Sequence, residues 1–339
     1  MQVTGSNPVR PPCTQKLTLL YIMAHEQMTN DHMVSGSNIT PWHRLGTVVA
    51  GQLTSIDALE KAELSWQVLQ EPIYDGDMKM IPTHVLNRRE DTREVLGVVG
   101  KDFRPVQNAV LLEIAEALVQ TNLDYVPVIE TAGSLRNGRI VWALVRTGER
   151  TFADSPHRSY LLLSNAHDGT RALRGTLTDV RVVCNNTLTW AETSKAQLMV
   201  RHSKNVEVRI KEAIELLGWA NEATDSTFKL YETLASARIQ EEAAIKTFEA
   251  LIEEDLGYSP DGGTYVKVKD DLVDLFRNGA GNSGETAFDG LNAVTDWVDH
   301  QRNFREGADI DDRRFTYSLM GPGAIIKRKA AKRFGELVA

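Results

Sequence analysis

Eight arginines stand between Arg136 and Arg181: Arg136, Arg139, Arg146, Arg150, Arg158, Arg171, Arg174 and Arg181. A guanidinium fork donates two hydrogen bonds at once to a phosphate and keeps its charge at any physiological pH. Trp142, Phe152, Tyr160 and Trp190 lie among them. Aromatic rings are platforms on which nucleobases stack, and a row of cations tracks a sugar–phosphate backbone. The chemistry this pattern suggests is binding of a polyanion, single-stranded DNA in particular. Arg146, Arg158, Arg171, Arg174 and Arg181 are the candidate contacts. Pairing of these arginines with carboxylates of neighbouring elements, or across a subunit interface, is the competing reading.

Charge distribution sharpens the choice. Residues 134–211 carry thirteen Lys and Arg against six Asp and Glu, whereas residues 24–133 carry eight against sixteen. The 339-residue chain has a net charge of −8, so indiscriminate attraction to nucleic acid is excluded, but a localised basic face is not. Hydrophobic residues make up 42% and charged residues 25%, ordinary values for a globular chain. No apolar run approaches the roughly 20 residues of a membrane span. Two cysteines, Cys13 and Cys184, cannot build a disulfide framework, and a reducing cytoplasm is the expected compartment.

Motifs of other chemistries are missing. The sequence has no GxxxxGK[ST], no GxGxxG between a strand and a helix, no CxxC and no HExxH. None of the eight histidines pairs with another His or Cys at metal spacing. His167-Asp168 falls in a turn, where Asp before Gly has a conformational reason. Cys184 closes a Val-rich strand and reads as a small buried group. Asp289, Asp296 and Asp299, with Asn292 and His300, share one expected helix, and a solvated acidic face is preferred there to a metal site. No catalytic residue, metal or cofactor is expected.

The elements that must position the arginines follow from periodicity and turn chemistry. Residues 1–37 form an N-terminal extension. Within it, Gly5-Ser6-Asn7-Pro8-Val9 read back into codons matches the T-arm of a transfer RNA gene. The expectation is a coding start at Met23, Met28 or Met33, beside such a gene. Residues 38–200 read as a strand-rich core. Thr54 and Asp57 have capping-box spacing at the head of a helix over 55–66. Strands are expected at 67–74, 79–88 and 94–99, the first hairpin turning at Asp75-Gly76-Asp77. A helix follows near 106–121. Residues 125–184 read as an antiparallel meander, with hairpin turns at Asn137-Gly138 and Asp168-Gly169, the latter projecting its strand pair from the body. From Thr187 the pattern turns helical, with Asn185 or Asn186 as N-cap. Residues 201–339 form a helical region, with helices at 204–236, 239–256, 266–277, 286–304 and 323–338. The fold class is α+β: an antiparallel sheet, with the possibility of a Rad52-like core, and a helical C-terminal half.

A family resemblance runs through these elements. Pro41-Trp42-His43-Arg44-Leu45-Gly46 resembles the opening motif of a phage and plasmid-like family, a domain of unknown function (DUF932). Val98-Val99-Gly100-Lys101 with Phe103-Arg104-Pro105-Val106-Gln107-Asn108 is similar to its second block. Val182-Val183-Cys184-Asn185-Asn186-Thr187-Leu188 resembles its VCxNTL signature, and Arg201-His202 the short basic element after it. Thr286-Ala287, the run from Asn292 to Asp296, and Asp299-His300 resemble its C-terminal block. Trp42, His43, Asn185 and Asn186 are therefore motif residues of unassigned role; Trp42 is expected to be buried. The resemblance implies a mobile-element origin in a bacterial host and no established activity.

Three functions follow as expectations. The first is single-stranded DNA binding or annealing in recombination or replication, by a homo-oligomer without membrane attachment. The second is a non-enzymatic assembly or host-interaction protein. The third is an enzyme with a site around Cys184, Asn185, Asn186 and the Asp296–His300 helix.

Overall fold

The computed structural model describes residues 33–35, 47–48, 53–119, 128–152, 155–181, 186–190, 197–206, 208, 219–304 and 310–339. In chain order these contain β1 (Met33–Ser35), β2 (Thr47–Val48), α1 (Ser55–Lys61), β3 (Val68–Tyr74), β4 (Met80–Arg89), β5 (Val95–Gly100) and α2 (Asn108–Val119). Strands β6 (Val128–Leu135), β7 (Ile140–Phe152), β8 (Ser155–Ala166), β9 (Leu173–Arg181), β10 (Asn186–Trp190) and β11 (Gln197–Val200) follow. The helices are α3 (Trp219–Ser236), α4 (Glu241–Ala250), α5 (Gly263–Asn278), α6 (Ala287–Asp296), α7 (Ile310–Met320) and α8 (Pro322–Val338). Helices α4 and α6 each run on into a π-helical turn, Leu251–Asp255 and Trp297–Gln301. None of the described helices is long and apolar enough to cross a membrane.

The α+β class holds. An eight-stranded sheet has the order β10-β9-β8-β7-β6-β1-β2, with β11 also on β9, and a second sheet has the order β3-β4-β5. Among the described strand pairs only β1 with β2 is parallel. The expected meander is present as β6–β9, and its hairpins turn where expected: Asn137 and Gly138 have φ of 59° and 87°, and Gly169 has φ of 79°. The Thr54–Asp57 capping box closes in both directions.

Two expectations fail. Residues after Asn186 do not start a helix. Asn186–Trp190 pairs antiparallel with 177–181 of β9, and β11 pairs with 173–176, so two short strands share one edge. The alternating Thr187, Leu188, Thr189, Trp190 favours a pleated surface, and the open edge of β9 supplies the partner. An N-cap role for Asn186 is thereby removed; Asn185, Cys184, Trp42 and His43 lie outside the described residues.

The Asp168-Gly169 hairpin, second, does not project. Its tip lies on the small sheet: a Cβ on Gly97 would meet the Asp168 Cα at 2.7 Å, and one on Gly169 would meet Val99 at 3.0 Å. The Asn137-Gly138 tip is seated likewise, with a Gly138 Cβ falling 2.7 Å from the Trp66 ring. Beneath both tips is a buried polar junction. His167 Nε2 is 2.9 Å from Asn108 Oδ1, and Asn87 Nδ2 donates to the His167 carbonyl at 2.7 Å.

Both faces of the large sheet are covered. Val141, Ala143, Val145, Leu161 and Leu163 join Ala58, Leu111, Leu112 and Ile114 in one core. Ile140, Trp142, Leu144, Tyr160 and Leu162 join Phe315 and Leu319 of α7 in another. Strands buried on two sides read as continuous apolar runs, which is how β7 and β8 read. A third core fills the helical half, around Phe228, Tyr231, Phe248, Phe276, Phe288 and Phe334. It meets the sheet at His157 of β8, whose ring lies 5.3 Å from Tyr231 and 5.2 Å from Phe288.

Candidate nucleic-acid interface

The arginines separate by place. Arg146 in β7 and Arg158 in β8 lie on the sheet face and converge on two carboxylates. Arg146 Nε is 3.0 Å from Glu130, and Arg158 Nε is 2.8 Å from Glu149. Arg146 also reaches Glu149 at 3.2 Å, and the Tyr160 hydroxyl donates to Glu130 at 3.1 Å. Glu130 is 1% exposed, so its charge needs these partners. Burial and the Glu130 charge hold the Tyr160 phenol well above its ordinary pKa. Arg150, nearby in sequence, pairs with Asp225 at 2.6 Å. Arg146 and Arg158 are thus held in ion pairs within the protein, the arrangement that the competing reading anticipates. Trp142 and Tyr160 are buried and offer no face to a base.

Arg171 and Arg174 lie at the other end of β9. Arg171 is half-buried and donates to the Met320 carbonyl at 3.2 Å, at the C-terminus of α7, where a cation is favoured. Burial, then the charges of Arg136 and Arg174, pull its pKa down, against Asp168 alone. Neither Arg171 nor Arg174 forms an ion pair with a carboxylate among the described residues, and the buried Arg174 Nε has no hydrogen-bond partner there. Asp168 spends a carboxylate oxygen on the Thr170 amide and hydroxyl, at 2.9 and 2.6 Å. Arg181 is not brought to this cluster. It closes β9 opposite His157, seven residues from Arg174, roughly 23 Å along a strand.

Beside Arg171 is a group that periodicity does not reveal. His202 follows β11, and its ring stacks on Phe103 at 4.3 Å and 19°. Its Nδ1 donates to the Arg104 carbonyl at 3.0 Å, and the Arg104 amide donates back to the His202 carbonyl at 3.4 Å. Burial lowers the imidazole pKa, against the backbone carbonyls of Arg104 and Arg171. Lys101, Arg104, Arg201 and Lys204 are exposed around this stack. Thr83, Lys101, Phe103, His202, Lys204 and Asn205 line an open groove of about 620 Å³. The sequence signal was present in another form: Phe103-Arg104 and Arg201-His202 belong to two separate motif blocks, and they meet here.

The acidic C-terminal motif does other work. Asp289 and Asp299 are buried, not solvated as expected. Asp289 accepts from the Thr286 amide at 3.2 Å and the Ser283 hydroxyl at 2.9 Å, capping α6. Asp299 Oδ1 accepts from Lys327 Nζ at 2.7 Å, with both side chains 0% exposed. Among the described residues no group of three His, Cys, Asp or Glu side chains could hold a metal ion.

A family model described as a domain of unknown function (DUF932) matches residues 95–319. No curated protein and no solved structure matches the chain.

Proposed function

The chain belongs to the DUF932 family, and we propose that it binds single-stranded DNA through the basic end of its large sheet, around Arg171 and Arg174. The setting we propose is recombination or replication of a mobile element; the motif resemblance implies only the mobile-element origin. One observation carries the reading. Two guanidinium groups sit part-buried, with Arg174 close enough to help lower the Arg171 pKa and no carboxylate paired to either among the described residues. Such an arrangement costs free energy in the free protein and is relieved by an anion. Phosphate fits best, because a planar guanidinium fork donates two hydrogen bonds at once to its oxygens. The acidic flanks repel a polyanion elsewhere and confine it to this end.

Fluorescence anisotropy with a labelled oligothymidylate at several salt concentrations tests this. Binding is expected to weaken steeply as salt rises. Replacing Arg171 and Arg174 with Ala removes two phosphate contacts, and the slope of log K against log salt is expected to fall by about 1.4. Circular dichroism and the urea midpoint check that the variant folds. Absence of binding at low salt removes the proposal.

Association between copies is a second reading, favoured by one observation. Tyr74, Met78 and Met80 are exposed together at the first hairpin of the small sheet. Sedimentation of Met78→Lys/Met80→Lys against the parent chain tests it; an unchanged oligomeric state removes it.

A further inference from the structure

We propose that the groove at Phe103 and His202 is a nucleobase-stacking subsite, taking one base of a single-stranded DNA whose next phosphates reach Arg171 and Arg174. This rests on the single-strand reading above and adds to it the moiety recognised. The groove is open, and its volume of about 620 Å³ lies in the range of small-ligand sites. Its aromatic floor is already assembled. The Phe103 and His202 rings are stacked, and the imidazole is fixed by its bond to the Arg104 carbonyl, so little ordering remains for the bound state. Every nucleobase has a π-face, so such a floor binds bases without reading sequence.

The rim supplies charge. Lys101 and Lys204 are exposed there. Lys204 pairs with Asp102 at 3.1 Å, but the two side chains are 69% and 64% exposed, and a pair so solvated yields readily to a phosphate. Burial keeps the His202 imidazole toward its neutral form, so the floor is an apolar stack rather than another cation. The groove and the arginine pair adjoin, because β11 pairs with β9 with Val200 opposite Leu173, which brings His202 beside Arg171. Duplex DNA cannot use this floor, since its bases are already stacked and paired. Preference for single strands therefore comes from Phe103, and salt sensitivity from the arginines.

The two contributions separate in one experiment. Anisotropy is measured with a fifteen-residue oligothymidylate and with an abasic strand of the same phosphate count, for the parent chain, Phe103→Leu, Phe103→Tyr and Arg171→Ala/Arg174→Ala. The parent is expected to bind the base-bearing strand about tenfold more tightly than the abasic one. Phe103→Leu is expected to lose that preference and keep the salt slope, and Phe103→Tyr to keep both. The arginine variant is expected to lose slope on both strands and retain the preference. Equal binding of the two strands by the parent, or a preference that survives Phe103→Leu, overturns the stacking subsite and leaves single-strand binding standing. Failure to bind either strand at low salt overturns both. A urea midpoint unchanged in Phe103→Leu shows that its loss is local; if Phe103→Leu unfolds, loss of preference in Phe103→Tyr overturns the subsite.

Discussion

Lowering the pH from 8 to 5 is expected to destabilise the fold through His167. This side chain is 0% exposed. Asn108 donates both amide hydrogens to the Leu64 and Trp66 carbonyls, so its Oδ1 accepts, and the hydrogen on the imidazole sits at Nε2. Nδ1 is left bare beneath the hairpin tips, with the Trp66 ring edge-on at 5.6 Å. A second proton there has no acceptor among the described residues and is buried. Burial, with the His202 charge adding to it, lowers the pKa from 6.5 to about 3. The unfolded chain takes up a proton as pH falls through 6.5 while the folded chain does not, so stability is present above 6.5 and is lost toward 3. With those two values the loss at pH 5 is about 2 kcal/mol. His202 is also depressed and acts in the same direction. Carboxylates barely titrate in this window. Urea unfolding at constant ionic strength from pH 8 to 5, read as the midpoint at unchanged slope, measures the effect. His167→Gln, which can still donate to Asn108, is expected to be less stable at pH 8 but to show a flatter profile. A parent and a variant that lose stability in parallel between pH 7 and 5 would refute the assignment.

Two further outcomes follow from the helical half. Gly290→Ala is expected to lower stability by about 3 kcal/mol, since its Cβ would fall 2.3 Å from the Phe334 ring, and a second change, Phe334→Leu, is expected to recover part of the melting temperature. Lys327→Met is expected to cost about 4 kcal/mol by depriving the buried Asp299 carboxylate of its Lys327 counterion, whereas Lys327→Met/Asp299→Leu restores most of it; a double variant as unstable as the single one would contradict this.

Local chemistry was legible where it closes over a few residues. The Thr54–Asp57 box, the Asn-Gly and Asp-Gly turns and the strands they join are each determined by side chains within reach of one another. Long-range pairing was not. Asn186–Trp190 carries the local signal of a helix start, and nothing local reveals the waiting edge of β9. Helix α7 is faint in the sequence because four charged residues, Asp311 to Arg314, fill its first turns, and its buried Phe315 and Leu319 join the sheet core only beyond them. The site was legible only in part. Arg146 and Arg158 gave the same signal as Arg171 and Arg174, since a sequence does not show that Glu130 stands beside the first pair and not the second. Phe103 and His202 carried no periodic signal and stood out only as pieces of motif.

The covering of the sheet explains why arginines with no carboxylate partner among the described residues gather at one end. A four-stranded meander open on one face would give a DNA strand a broad floor, and arginines anywhere on it could serve. Here α1 and α2 close one face and α7 the other, so a charge on either face must be neutralised from within. Arg146 and Arg158 meet that requirement through Glu130 and Glu149. Only where strands stop can cations remain without internal counterions at tolerable cost, because water reaches them. The end that holds Arg171 and Arg174 is also where β5 runs out into Lys101 and Phe103, and β11 into Arg201 and His202. The short strand β11 matters for that reason: by pairing with 173–176 it sets His202 against the backbone of Arg171, and so joins the ring stack to the arginines.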